Sequence, residues 1–367
     1  MYTYDQRLAR VINRRNPWPK VAAARESFAN EHIALDAAEM TSSVERMVYL
    51  SMCPVDEGCV KKSLEAGERV KERLRTRFSA LSKSIPSFEY QGSVVANTQI
   101  KGASDIDLLV INEQSFFWDS IGITNEWEAA RTNVPVPPNA YKLKRLIDLP
   151  SYSGNAIDDV VNQRKICEDC LRSAYVDCDI RKGKSIRILN QSLDQKVDVV
   201  NCLWYDNADS VENDKCYPYR GVRIFDKSKN SWMPADFPFI KIAIMNYRDK
   251  LTNGHYKEMI RLLKTLKADV DGCDELSSFD IYSVLYLMPQ SDYAMRSGSD
   301  LVFALESFLR DFATNRTRAN SLKHLDSSEL IFDGKDLKFN AFKRVYADVC
   351  MLCEALKNAQ RTRVVFG

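Results

Sequence analysis

Two aspartates one residue apart, Asp105 and Asp107, flank the start of the apolar run Ile106-Asp107-Leu108-Leu109-Val110-Ile111. The run is short and aliphatic, which reads as a strand. Alternation puts Ile106, Leu108 and Val110 on one side, and Asp105, Asp107 and Leu109 on the other. Two carboxylates therefore share one face of an otherwise apolar strand. They repel each other, and a packed core does not tolerate them unpaired. A divalent cation is the usual remedy, and hard oxygen ligands suit magnesium. Upstream stand Gln91, Gly92 and Ser93. Glycine lets a backbone approach a phosphate closely, and serine adds a hydroxyl donor. A Gly-Ser pair alone is commonly a turn, and Asp-x-Asp alone is commonly a solvated edge. Together they make a phosphate cradle followed by a metal-binding strand, as phosphoryl or nucleotidyl transfer requires.

The segment resembles the nucleotidyltransferase superfamily related to DNA polymerase beta. That pattern is a hydrophobic residue, Gly, Gly or Ser, a spacer, then Asp-hydrophobic-Asp. Tyr90, Gly92, Ser93, Asp105 and Asp107 fit it, with Gln91 between Tyr90 and Gly92. The resemblance implies a third carboxylate on a later, adjacent strand. Asp198 in Gln195-Lys196-Val197-Asp198-Val199-Val200 is the candidate. This strand and Ser185-Ile186-Arg187-Ile188-Leu189 read as a β-hairpin, with Asn190 to Asp194 as the turn. Asp179 and Asp206 are rivals at element ends.

A closer resemblance is to the cGAS/DncV-like and oligoadenylate-synthase-like cyclic-oligonucleotide synthases, over about residues 60 to 360. It rests on Gln91-Gly92-Ser93, Thr98, Ile100-Lys101-Gly102 and Ser104 to Leu108. It rests also on Tyr256 to Lys264, similar to a helix whose lysine contacts a triphosphate, and on Ser277-Ser278-Phe279. The resemblance implies that Lys264 and Ser278 touch the donor triphosphate and that Phe279 stacks on a base. It implies an α+β fold: a polymerase-beta-like lobe with a mixed sheet and a long spine helix, then a mainly helical C-terminal lobe, with two nucleotides held in a cleft between them.

The implied activity joins ribonucleoside triphosphates into a cyclic di- or trinucleotide messenger of bacterial anti-phage signalling, with release of pyrophosphate. Two magnesium ions, with manganese as the alternative, would lie on Asp105, Asp107 and Asp198. ATP, with GTP or UTP beside it, would be substrate, and an effector protein would respond to the product. Some bacterial relatives are conjugated through a C-terminal glycine; Gly367 allows this without showing it. A linear 2′-5′ oligoadenylate synthase and an RNA terminal transferase are rivals of the same class. An aminoglycoside-type nucleotidyltransferase matches the Tyr256 to Lys264 stretch less well. An inactive nucleotide-binding scaffold is the rival of another class, disfavoured by three intact carboxylates.

Composition bounds these readings. The 367 residues suffice for a large core in one to two domains. The chain is 45% hydrophobic and 28% charged, an ordinary globular composition. Lys plus Arg is 52 against 50 for Asp plus Glu, a net charge of +2 that does not demand a long nucleic-acid partner. No stretch has the length and apolarity of a membrane span, and the N-terminus lacks an apolar signal core, so a cytoplasmic location is expected. His32, His255 and His324 are scattered, which gives histidine-based catalysis little support. Cys167-x-x-Cys170 and Cys350-x-x-Cys353 lie in helix-like sequence, where cysteine behaves as a small apolar residue.

Pattern divides the chain into an N-terminal helical segment, 1–57, a catalytic lobe, 58–235, a helical lobe, 236–360, and a mobile tail, 361–367. Within these, 22–49 read as one or two helices, 58–84 as the long helix, and 87–90, 105–111, 185–190 and 195–202 as the sheet. An insert spans about 112–160, a helix 158–175, and a further strand 221–225. Helices follow at 239–250, 256–268, 278–288, 299–313 and 338–360.

Overall fold

The computed structural model describes residues 2–15, 36, 40, 42–102, 104–294, 298–326 and 329–366. Two compact units emerge: Met1–Val60 with Ala96–Ala103 and Ile244–Gly367, and Lys61–Val95 with Ser104–Ala243. The units do not follow chain order as the sequence-based division did. Residues 1–57, set apart in that division, fall with the C-terminal helices. Gly367, and residues 22–35, 37–39 and 41 of the helical stretch expected over 22–49 (His32 among them), lie outside the described residues.

The first unit begins with α1 (Tyr4–Arg15) and α2 (Ser43–Met52). The chain then enters α3 (Glu57–Ala80), whose exposed face carries the pairs Glu65–Arg69, Glu68–Lys71 and Glu72–Arg75. Its other face buries Val70, Leu74 and Phe78. In the second unit follow β1 (Ser87–Gln91) and β2 (Ile106–Trp118), then α4 (Ser120–Ala130), α5 (Ala140–Ile147) and α6 (Ala156–Ala174). Next come β3 (Cys178–Asp179), β4 (Ile186–Asn190), β5 (Gln195–Asp206), α7 (Ala208–Glu212), β6 (Gly221–Asp226) and β7 (Ser231–Asp236). From α8 (Pro238–Leu251) onward the chain is helical: α9 (His255–Lys267), α10 (Ser278–Tyr286), α11 (Gln290–Tyr293), α12 (Gly298–Thr314), α13 (Arg316–Asn320) and α14 (Asp336–Phe366). Among the described residues no helix is long and apolar enough to cross a membrane.

The second unit is built on a seven-stranded sheet of order β1-β2-β5-β4-β3, extended by β6 and β7. β2 and β5 are parallel; the other pairs are antiparallel. A parallel pair needs a long crossover, and the segment carrying α4, α5 and α6 supplies it. β5 is central: its first half lies between β2 and β4, and its second half between β2 and β6. One sheet face buries Leu109, Ile111, Val200, Cys202, Val222 and Phe239 together. α6 packs on the sheet, and its buried Gln163 donates to the Val110 carbonyl (2.9 Å) and to Asn201 Oδ1 (3.2 Å). Ser63 Oγ of α3 donates to Gln195 Oε1 at 2.9 Å and anchors the start of β5.

The α+β architecture is as expected, with local differences. β2 runs on to Trp118, and Asp105 immediately precedes it. β3 and β7 are additional strands. Helices α4 and α5 fill much of the stretch read as an insert. Residues 361–366, read as a tail, continue α14.

In the first unit, α9 buries Tyr256, Met259, Ile260, Leu262, Leu263 and Leu266. Arg261, on the same helix, donates to the carbonyls of Met52 (2.6 Å) and Asn97 (2.8 Å) and so ties the 96–103 segment down. A buried ion pair from Arg7 to Asp348 joins α1 to α14.

Candidate active site

The parallel register of β2 and β5 puts Asp107 and Asp198 on the same rung of the sheet. Residues paired across adjacent strands send their side chains to the same face. Gln91 pairs with Asp107 on the other side of β2, and Arg187 with Asp198 on the other side of β5. Four strands thus deliver Gln91, Asp107, Asp198 and Arg187 in one row. Asp105, just before β2, joins this row through Arg187.

The electrostatics of the row are those of crowded carboxylates around one cation. Arg187 holds Asp198 with two bonds, Nε to Oδ1 at 2.9 Å and Nη2 to Oδ2 at 2.5 Å. The same Nη2 reaches Asp105 Oδ2 at 2.7 Å. Ser185 Oγ donates to Asp198 Oδ1 at 3.3 Å, and Lys182 Nζ stands 3.9 Å from the same oxygen. Asp107 has the least relief. Burial, followed by the charges of Asp198 and Asp105, pushes its carboxyl up to about 7, against the smaller opposing pull of Arg187 and Lys182. Among the described residues no three His, Cys, Asp or Glu side chains are already gathered around one point. The donor set still suits a hard divalent cation: three carboxylates on adjoining backbone positions, one strongly disfavoured as an anion without a positive partner.

Gly92 closes the row at the end of β1. Its φ is +91°, and a Cβ there would stand 2.5 Å from Asp107 Oδ2. The position therefore needs glycine both for its backbone conformation and for clearance from the carboxylate. α3 approaches the same strand closely at Gly67, where a Cβ would meet the Tyr90 ring at 2.7 Å. Tyr90 Oη donates to Glu68 at 2.9 Å and fixes β1 against that helix. Gly92→Ala is expected to lower turnover by about a hundredfold through displacement of Asp107. Steady-state kinetics with thermal melts on the purified variant check it; unchanged turnover would remove Gly92 from the site.

The first unit carries Lys264, Ser278 and Phe279, the other residues expected at the site. Lys264 Nζ donates to the Thr98 carbonyl at 2.6 Å and lies 3.4 Å from Tyr282 Oη. Burial, with smaller contributions from Lys267 and Arg261, lowers its ammonium to about 8. Tyr282 Oη also pairs with Thr98 Oγ1 at 2.9 Å and interacts with the Ser278 side chain. Lys264 and Ser278 are therefore brought together by a tyrosine. Phe279 lies against the His324 ring, with centroids 4.8 Å apart.

Arg187 and Tyr282 hold the candidate site residues and carry no motif of their own in the sequence. Arg187 had a usable signal: it alternates with Ile186 and Ile188, so it faces away from the apolar side of β4. Tyr282 had a weaker one, standing one helical turn beyond Ser278. The rival carboxylates are engaged elsewhere. Asp206 is fully buried and held by Arg220 (2.8 and 2.9 Å) and Lys215 (3.1 Å). Asp179 bonds Arg181. Cys167 and Cys170 lie on α6, where burial raises both thiols, and Cys350 and Cys353 lie on α14.

Known proteins match this architecture over nearly its whole length. The family described as cGAS/DncV-like nucleotidyltransferase C-terminal helical domain matches residues 243–353. A c-di-GMP synthase of a Lachnospiraceae bacterium is 33% identical over 352 residues, which is 95% of this chain and 97% of that one. The solved STING-associated CdnE c-di-GMP synthase from Capnocytophaga granulosa superposes with a TM-score of 0.76 at 32% identity, covering 97% of this chain and 99% of that one. A STING-associated CdnE c-di-GMP synthase from Flavobacteriaceae sp. superposes with a TM-score of 0.82 at 26% identity, over 98% and 99%. The chain belongs to the cGAS/DncV-like nucleotidyltransferases. Within them it is an enzyme of the cyclic-oligonucleotide-synthesising kind, and the linear-synthase, RNA-transferase and scaffold readings are not favoured.

Proposed function

We propose that the enzyme joins two GTP molecules into cyclic di-GMP for a signalling pathway of anti-phage defence. The row formed by Asp105, Asp107 and Asp198 carries the chemistry. The names of the full-length relatives support the choice of guanine over the adenine and uracil weighed from sequence. In each of two rounds a ribose hydroxyl oxygen bonds to the α-phosphorus of a triphosphate. The α–β anhydride bond breaks, and pyrophosphate leaves with its electron pair.

Asp105, Asp107 and Asp198 would hold magnesium, with manganese as the alternative. When bound, the metal supplies positive charge against the triphosphate and makes the acceptor hydroxyl more acidic. Asp198 is the proposed acceptor of the hydroxyl proton. Gly92 lets the backbone lie close against Asp107, and Ser93 would add a hydroxyl donor to the phosphate. Within the first unit, Lys264 is the proposed phosphate-binding cation, set by Thr98 and Tyr282. Most of the rate then comes from positioning and charge neutralisation. By analogy with the STING-associated relatives, the product would act on an STING-type effector.

Incubating the purified protein with GTP, ATP, CTP and UTP plus magnesium or manganese tests the reading. Phosphatase-resistant cyclic di-GMP, identified by mass spectrometry and formed from GTP alone, is the expected result. Mixed-base rings would overturn the guanine assignment, and linear products alone would overturn cyclisation.

A further inference from the structure

A single guanidinium bridges two of the three carboxylates. Arg187 Nη2 lies 2.7 Å from Asp105 Oδ2 and 2.5 Å from Asp198 Oδ2, while Nε holds the second oxygen of Asp198 at 2.9 Å. We infer that Arg187 is a resident counter-ion of this site, which a divalent metal displaces on binding. The inference rests on the metal reading of the three aspartates given above.

Three observations carry it. The register places Arg187 opposite Asp198, with Asp107 on the far side, so the guanidinium is built into the row by backbone pairing. A metal ion and a guanidinium cannot share the same oxygens, because like charges at that distance repel strongly in a partly dry site. Finally, the Arg187 side chain is 33% exposed, so it can swing outward without unfolding β4. Lys182, 3.9 Å from Asp198, is too distant to replace its bidentate hold. Arg187 thereby offsets part of the repulsion among the metal-free carboxylates, through Asp105 and Asp198, and it weakens apparent metal affinity by the strength of its own attachment. It is a positioning residue for the reaction.

Manganese binding, followed by the electron-spin resonance signal of the free ion, tests this together with thermal melts with and without Mn2+. Arg187→Gln is expected to bind Mn2+ about tenfold more tightly than the wild type. It should also melt lower without metal and gain more from Mn2+. Equal or weaker Mn2+ binding would overturn the exchange. Should Arg187→Gln not fold, Arg187→Lys carries the same comparison, since one ammonium cannot reproduce the forked grip. Asp107→Asn separates the two levels of the argument. Undiminished Mn2+ binding in that variant would overturn the metal reading itself, and the exchange with it.

Discussion

Asp107→Asn is expected to lower pyrophosphate release from nucleoside triphosphates on the order of a thousandfold or more and to leave the fold intact. The substitution keeps the shape of the side chain and removes its charge. Asp107 shares its rung with Asp198 and lies beside Asp105, so it is the carboxylate most dependent on a cation for its ionised form. On the proposed metal reading, losing it removes a ligand and leaves the nucleotide's charge uncompensated. An ionised, buried carboxylate among like charges is unfavourable, so metal-free Asp107→Asn should melt above the wild type at neutral pH. Coupled phosphate-release kinetics and melts in chelator measure both. Turnover within tenfold of wild type would remove Asp107 from the chemistry.

Asp280→Ala should lower the melting temperature by about 10 °C, reflecting a loss of about 3–5 kcal/mol. Asp280 is fully buried at the start of α10. Its Oδ2 accepts from the Ser277 backbone N–H and Oγ, both at 2.7 Å, while Ser277 Oγ caps the Asp280 N–H at 3.1 Å. Its Oδ1 accepts from His324 Nε2 at 2.9 Å and Lys338 Nζ at 2.8 Å. Burial alone would raise its pKa. The bonds from His324, Lys338 and Ser277 outweigh burial and hold the carboxyl down to about 2. The folded value thus lies below the unfolded one of 3.8. The stabilisation is complete above about pH 4 and is lost as pH falls toward 2, a contribution of about 2 kcal/mol. Melts from pH 6 to 2 on wild type and variant measure it. A gap that stays constant across that range would refute the assignment.

Much of the fold was legible because periodicity is local. The long helices of both units, and the strands around Asp107 and Asp198, have strong repeats of their own. β7 was not legible: it contains Pro234, which weakens a strand pattern and suits the edge position it takes. β3 has only two residues and exists through its pairing with β4. α4 carries Gly122, Thr124 and Asn125, poor helix formers, and is started by the Asp119 cap, which accepts from the Gly122 N–H.

The site divides in the same way. Asp105, Asp107 and Asp198 announced themselves as charges in apolar strands. Arg187 did not, because its meaning comes from the register between β4 and β5. Tyr282 gains its role only when Thr98, Ser278 and Lys264 fold around it. Phe279, read as a platform for a base, already has the His324 ring for a neighbour.

The register of β2 on β5 passes from Asn112↔Leu203 to Phe116↔Trp204, so β2 carries extra residues beyond the six rungs that start at the carboxylates. That slack works as an expansion joint. Length changes between Glu113 and the end of the crossover can be absorbed there without travelling back to Asp107. No such allowance exists between Asp107 and Asn112, or between Asp198 and Leu203. One residue added there would turn an aspartate to the opposite face and dismantle the site in a single step. The crossover segment is therefore where this enzyme can vary its surroundings freely, while the aspartates proposed to carry its chemistry stay locked to six consecutive rungs of sheet.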